Sequence, residues 1–162
     1  MKDFRNFAKK ILTFLIVCGI LQFIYGGKLK MNKERTYIML KPDAVQRKLM
    51  GEIIARIEKK GYEITNAKMF MMDENILKEH YAHIADKPFF PEIVEFMTSG
   101  KVLGMIVEGE NVVAGMRAIM GPTKDAPAGT IRGDFAFNGS ENIIHGSDSV
   151  ENAEIEIKRF FN

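Results

Sequence analysis

The spacing of hydrophobic positions changes repeatedly along the chain, and each change predicts a new element. Thr36-Tyr37-Ile38-Met39-Leu40 is a short apolar run of strand character, closed by Lys41-Pro42-Asp43. Leu49, Ile53, Ile54 and Ile57 then recur at helical spacing, with Lys59 and Lys60 in the last turn and Gly61 as the stop. Tyr62 to Met71 reads as a second strand with untidy alternation. Asp73 or Glu74 opens a helical stretch through Tyr81. Pro88 and Pro91 bracket Phe89-Phe90, and a short helix is predicted from Pro91 to Thr98. Val102 to Glu108 is a strand, and Asn111 to Met120 is an apolar helix ended by Gly121-Pro122. From Gly121 to Phe135 the chain is dense in Gly, Pro and Thr and reads as a long connection, of the kind that is often functional. Asn142 to His145 is the last strand. Asp148 or Ser149 caps a final helix that buries Val150, Ala153, Ile157 and Phe160.

This order predicts an α+β sandwich of the ferredoxin-like, split βαβ kind. It has a helical insertion, a C-terminal helix, and helices laid over a mixed sheet. The predicted domain spans residues 31–162. Residues 1–30 differ in character: Lys2, Arg5, Lys9 and Lys10 precede an apolar run from Ile11 to Tyr25. That run is short for a membrane span, which needs roughly 20 residues. No small-residue cleavage site follows it. Met31-Asn32-Lys33-Glu34 looks like a natural start, so the expectation is that residues 1–30 precede the true start. A membrane anchor and a secretion signal are the alternatives.

Charge sharpens this division. Residues 1–30 hold six Lys/Arg and one Asp, whereas the remaining 132 hold 17 basic and 20 acidic side chains. A domain with a net charge of −3 exerts no general pull on nucleic acid, so any bound phosphate needs a local basic cluster. The one cysteine, Cys18, excludes a disulfide framework and a cysteine-based zinc site. Its position outside the domain fits a cytoplasmic protein. The three histidines, His80, His83 and His145, are too scattered to predict a metal site.

Candidate chemistry gathers at a few positions. His145 lies where a strand hands over to Gly146-Ser147-Asp148-Ser149, a junction that offers backbone N–H groups and a positive helix end to a phosphate. A neutral imidazole there is a competent nucleophile, and the adjacent glycine suggests close substrate approach. Lys41 ends the first strand, Arg132 lies in the long connection, and Arg117 interrupts an otherwise apolar helix. The Arg117 charge must snorkel outward or meet an anion. Neither a Gly-x-x-x-x-Gly-Lys phosphate loop nor a Gly-x-Gly-x-x-Gly turn is present. Spacing alone does not bring these residues together, and each is also compatible with a structural role.

Five ordered blocks change that assessment. Asn142-Ile143-Ile144-His145-Gly146-Ser147-Asp148-Ser149 resembles the active-site signature of nucleoside diphosphate kinases. The other four occur in the same order as in that family. They are Glu34-Arg35-Thr36 leading into Lys41-Pro42-Asp43-Ala44-Val45-Gln46-Arg47, Pro88-Phe89-Phe90-Pro91, Gly109-Glu110-Asn111-Val112-Val113, and Gly129-Thr130-Ile131-Arg132-Gly133-Asp134-Phe135. The resemblance runs from Glu34 to Phe160.

It implies a ping-pong reaction in which His145 takes the γ-phosphoryl group of a nucleoside triphosphate, typically ATP, and passes it to a nucleoside diphosphate. It further implies that Lys41 and Asn142 contact phosphate and sugar, that Arg117, Thr123 and Arg132 hold phosphates, and that Phe89 stacks on the base with Ile93 nearby. Tyr81 would lie beside the nucleophile, with Glu156 orienting the imidazole and Ser147 supporting it. Mg²⁺ would arrive on the nucleotide, with no protein metal site. A homo-oligomer is implied, as a hexamer or else a tetramer, because the 121–129 loop is shorter than the family's usual form. Specific nucleic-acid binding is not expected, and membrane association is expected only if residues 1–30 are real. The competing reading is an inactive ferredoxin-like domain that senses nucleotides.

Overall fold

The computed structural model describes residues 33–137, 139 and 141–161, so the expectations for residues 1–30 lie outside the described residues. A four-stranded sheet in the order β2-β3-β1-β4 is built from β1 (Lys33–Leu40), β2 (Glu63–Met71), β3 (Lys101–Glu110) and β4 (Ile144–Gly146). β1 pairs antiparallel with both β3 and β4, and β2 pairs antiparallel with β3. Each βαβ unit is therefore split by a strand of the other, which is the ferredoxin-like arrangement. The expected mixed sheet is corrected, because every neighbouring pair in it is antiparallel.

The two central strands are apolar because both of their faces are covered. Ile38 and Leu40 of β1 pack on one face with Ile53 and Ile57 of α2 (Met50–Lys59) and Met116 and Met120 of α5 (Val112–Met120). Tyr37 and Met39 turn to the opposite face. There they meet Leu77 of α3 (Glu74–His80), Phe90 and Met97 of α4 (Phe90–Thr98), and Ile157 and Phe160 of α7 (Val150–Phe161). Each fully buried aliphatic side chain contributes about 1.5–3 kcal/mol from burial.

The predicted punctuation is largely in place. Gly61 ends α2 at φ +90°, a conformation costly to residues with a Cβ. Asp73 caps α3 by accepting from Asn75 N and Ile76 N at 2.8 and 3.0 Å. Of the two candidates for the last cap, Ser149 accepts from Asn152 N at 3.1 Å. The untidy alternation of the second strand has a physical origin. A register shift between Ile64 and Asn66 bulges β2 at the sheet edge, where most of its side chains are exposed.

Three boundaries differ from expectation. Pro42–Gln46 forms a short helix, α1, where only a strand stop is predicted. Within the long connection, Ile131–Phe135 coils into α6, capped by Thr130 Oγ1 accepting from Gly133 N at 3.1 Å. β4 begins at Ile144, two residues later than predicted, because Asn142 and Ile143 make a turn.

Candidate active site

The site is built around the C-terminal ends of β1 and α5 and the whole of β4. The pairing of β4 with β1 sets His145 opposite Met39. Ile143, just before the strand, has φ +72°, and Ile144 N donates to Asn142 O at 2.7 Å to close a three-residue turn. This is the γ-turn of the strained hand. For a buried β-branched residue it costs on the order of 1–3 kcal/mol, so the surroundings must hold it.

The glycine after His145 has a packing role. A Cβ at Gly146 would lie 2.6 Å from Met120 Sδ and 2.9 Å from Ile38 Cδ1. Gly146 thus lets β4 lie against the core, while it also lines the cleft beside His145.

His145 Nε2 lies 3.0 Å from Glu156 Oε1, and Ser147 Oγ donates to Glu156 Oε2 at 2.5 Å. Ser147 is itself fastened to β1. Its N–H donates to Tyr37 O at 3.1 Å, and its Oγ accepts from Tyr37 N at 3.2 Å. Burial raises the Glu156 pKa, but the contacts with His145 and Ser147 outweigh it, and the net shift is downward. An ionised carboxylate only accepts, so the imidazole proton resides on Nε2 and the lone pair on Nδ1.

His145 opens into a cleft of 690 Å³ lined by Lys41, Tyr81, Arg117, Thr123, Arg132, Asn142 and Glu156, among others. Two arginines brace the carbonyls on either side of the imidazole. Arg132 Nη2 donates to Ile144 O at 2.7 Å, and Arg117 Nη1 donates to Gly146 O at 3.4 Å. Arg132 Nη1 also donates to Gly121 O at 2.8 Å, so this buried guanidinium joins the end of α5 to β4. Burial, then Arg117, lowers its pKa to about 10. Burial, then Arg132, lowers that of Lys41 to about 8. Such a concentration of positive charge is costly alone and is relieved by an anion.

The sequence-predicted residues are distributed as follows. Lys41, Tyr81, Arg117, Thr123, Arg132, Asn142, His145 and Glu156 line one cleft, and Ser147 supports it from behind. Burial and then the Glu156 charge raise the Tyr81 hydroxyl to about 12, so it stays protonated. Asn142 is buried and donates from Nδ2 to Gly139 O at 2.6 Å. Phe89 is not among the cleft-lining residues; it is the N-cap of α4 and is 48% exposed. Ile93 packs against the α4-side core.

Sequence reasoning missed His80, His83, Asp148, Asn152, Ile155 and Arg159, which also line the cleft. His80 is the most informative of these. Its ring packs edge-on against that of His145, with centroids 4.6 Å apart, and its Nδ1 lies 3.7 Å from Glu156 Oε1. His80, His145 and Glu156 are close enough to hold a metal ion. Lys41, Arg132 and Arg159 surround them, a setting that disfavours a dication. The available signal was its spacing, three and four residues after Leu77 and Ile76, which puts His80 on the buried face of α3.

Burial, and then the adjacent His145 ring, depress the His80 pKa from 6.5 to about 3, so the folded protein keeps this ring neutral. In the unfolded chain the same ring gains a proton below about 6.5. The resulting stability is therefore present above pH 6.5 and is lost as pH falls towards 3. Between pH 6.5 and 5 we expect a loss of about 1–2 kcal/mol in urea unfolding, largely removed in His80→Phe.

Comparison with known proteins agrees with this geometry. Residues 34–162 match the nucleoside diphosphate kinase family. A nucleoside diphosphate kinase of Exiguobacterium sibiricum is 55% identical over 130 residues, covering 79% of this chain and 94% of that protein. One from Acetivibrio thermocellus is 50% identical, covering 79% of this chain and 96% of its own length. The solved structure of a halophilic nucleoside diphosphate kinase from Halobacterium salinarum in complex with CDP superposes with a TM-score of 0.77 at 45% identity, covering 81% of this chain and 89% of that one. With the family match spanning the whole described domain, the chain belongs to the nucleoside diphosphate kinase family and is a phosphotransferase.

Proposed function

We propose that the protein transfers the γ-phosphoryl group of a nucleoside triphosphate to nucleoside diphosphates through a phosphohistidine formed at His145. The observation that carries this reading is the Nε2 contact with Glu156, which leaves Nδ1 as the nucleophilic nitrogen. In the first half-reaction Nδ1 attacks the γ-phosphorus, the bond to the bridging oxygen breaks, and the diphosphate leaves with the electron pair. Positive charge grows on the imidazole as the N–P bond forms, and Glu156 offsets it through the Nε2 proton. A second diphosphate then enters the same cleft and reverses the step.

Phosphoryl transfer depends mainly on positioning and charge stabilisation. Arg117 and Arg132 supply fixed donors beside the nucleophile, with Lys41 and Thr123 completing the phosphate subsite. Asn142 and Lys41 take the sugar, Tyr81 flanks the imidazole, and exposed Phe89 offers a ring to the base. A base held by its face leaves its hydrogen-bonding edge unread, so purines and pyrimidines are both accepted.

The cleft also fits Mg²⁺ arriving with the nucleotide. Its Glu156 carboxylate is already engaged, and Lys41, Arg117, Arg132 and Arg159 outnumber the one other lining carboxylate, Asp148. Bound with the nucleotide, the ion would offset phosphate charge, and Lys41, Arg117, Thr123 and Arg132 orient the chain of phosphates. Among the described residues no helix is long and apolar enough to cross a membrane. We place the enzyme in the cytoplasm as a homo-oligomer, a hexamer in preference to a tetramer.

Incubation with γ-labelled ATP should yield an acid-labile phosphoenzyme that passes its label to a diphosphate of a different base. His145→Ala should acquire no label. A wild-type protein that binds ATP without labelling would instead support the nucleotide-sensing alternative. Arg117→Ala should lower kcat by about 10²–10³, the scale of losing one preorganised donor, as measured in a coupled assay.

A further inference from the structure

Asp43 has no part in the phosphate chemistry above, yet it is buried and both its oxygens accept from backbone amides. Oδ1 accepts from Ala44 N at 3.0 Å and Oδ2 from Ile143 N at 3.1 Å. The second bond grips the residue held in the strained turn. The carbonyl of that residue is gripped too, because Lys41 N donates to Ile143 O at 2.9 Å. Both polar groups of Ile143 are thus tied to the single segment Lys41–Asp43. That segment carries the cleft lysine, and the imidazole lies two residues beyond Ile143.

Resting on the phosphohistidine reading, we propose that Asp43 is a positioning residue for phosphoryl transfer: its carboxylate clamps the Ile143 turn and thereby sets His145 relative to Lys41. A carboxylate suits this task because both of its oxygens only accept. An isosteric asparagine would turn an N–H₂ group towards one of the two amides, leaving that amide unpaired. Without the clamp the turn can relax towards ordinary backbone angles, carrying Ile144 and His145 with it. An ångström-scale displacement of a reacting group is enough to slow a positioned reaction by about 10²-fold.

The test compares wild type, Asp43→Asn, Ile143→Gly and the double variant. Single-turnover labelling by γ-labelled ATP is measured beside nucleotide KM, melting temperature and hydrogen exchange over residues 142–145. In Asp43→Asn we expect labelling about 10–100-fold slower with KM little changed, and faster exchange of the Ile143 and Ile144 amides. Glycine adopts positive φ freely, so in the Ile143→Gly background the Asp43→Asn loss should shrink to a small part of that factor. An equal loss in both backgrounds would overturn the proposal. So would an Asp43→Asn protein that melts earlier but labels at the wild-type rate, since the residue would then be merely structural. If the cavity left by Ile143→Gly prevents folding, the exchange data decide, and unchanged protection in Asp43→Asn refutes the clamp. Absence of label on wild type is a separate outcome that removes the phosphohistidine reading and this proposal with it.

Discussion

Glu156 receives His145 Nε2 on one oxygen and Ser147 Oγ on the other, and the cleft is arranged around keeping that carboxylate ionised away from bulk water. A charge in such a place is tolerable only if both oxygens have donors. One donor is the imidazole itself. The other is a hydroxyl whose residue is sewn to the backbone of Tyr37 on β1. The packing of α7 against the sheet therefore sets the orientation of the imidazole. His80, kept neutral by burial, fills the space beside this pair without adding a competing charge.

The cations obey a related constraint. Arg117 and Arg132 are anchored by carbonyls that flank His145, so they need no reorganisation when a phosphate arrives. The two arginines come from α5 and α6, and the nucleophile comes from β4. The site thus exists only when the third and fourth strands and their connecting elements are assembled. The strained turn at Ile143 sits at this convergence, where a locally unfavourable backbone is held by tertiary hydrogen bonds.

This explains which features were legible in the sequence. Tyr37 to Leu40 and Val102 to Val107 read as strands because burial on both faces makes them continuously apolar. Gly61, Asp73 and Ser149 announced helix ends through their own local chemistry. The ordered blocks identified most of the cleft, although spacing alone had left Lys41, Arg117, Arg132 and His145 as unrelated residues. What stayed hidden depends on partners distant in the chain. The bend before β4 is hydrogen-bonded to Asp43 and Lys41, the packing need at Gly146 comes from Met120 and Ile38, and His80 acquires meaning only beside His145. Helix α6 escaped detection because five residues with a glycine at their centre carry little periodicity.

The central claim is that Glu156 holds one imidazole nitrogen and leaves the other to accept the phosphoryl group. Nitrogen and phosphorus NMR of freshly labelled protein, with ¹⁵N in the histidine rings, reads this directly. The account predicts phosphorus coupled to Nδ1 of His145, with Nε2 still carrying its proton. Phosphorus on Nε2, or on any other side chain, would contradict it.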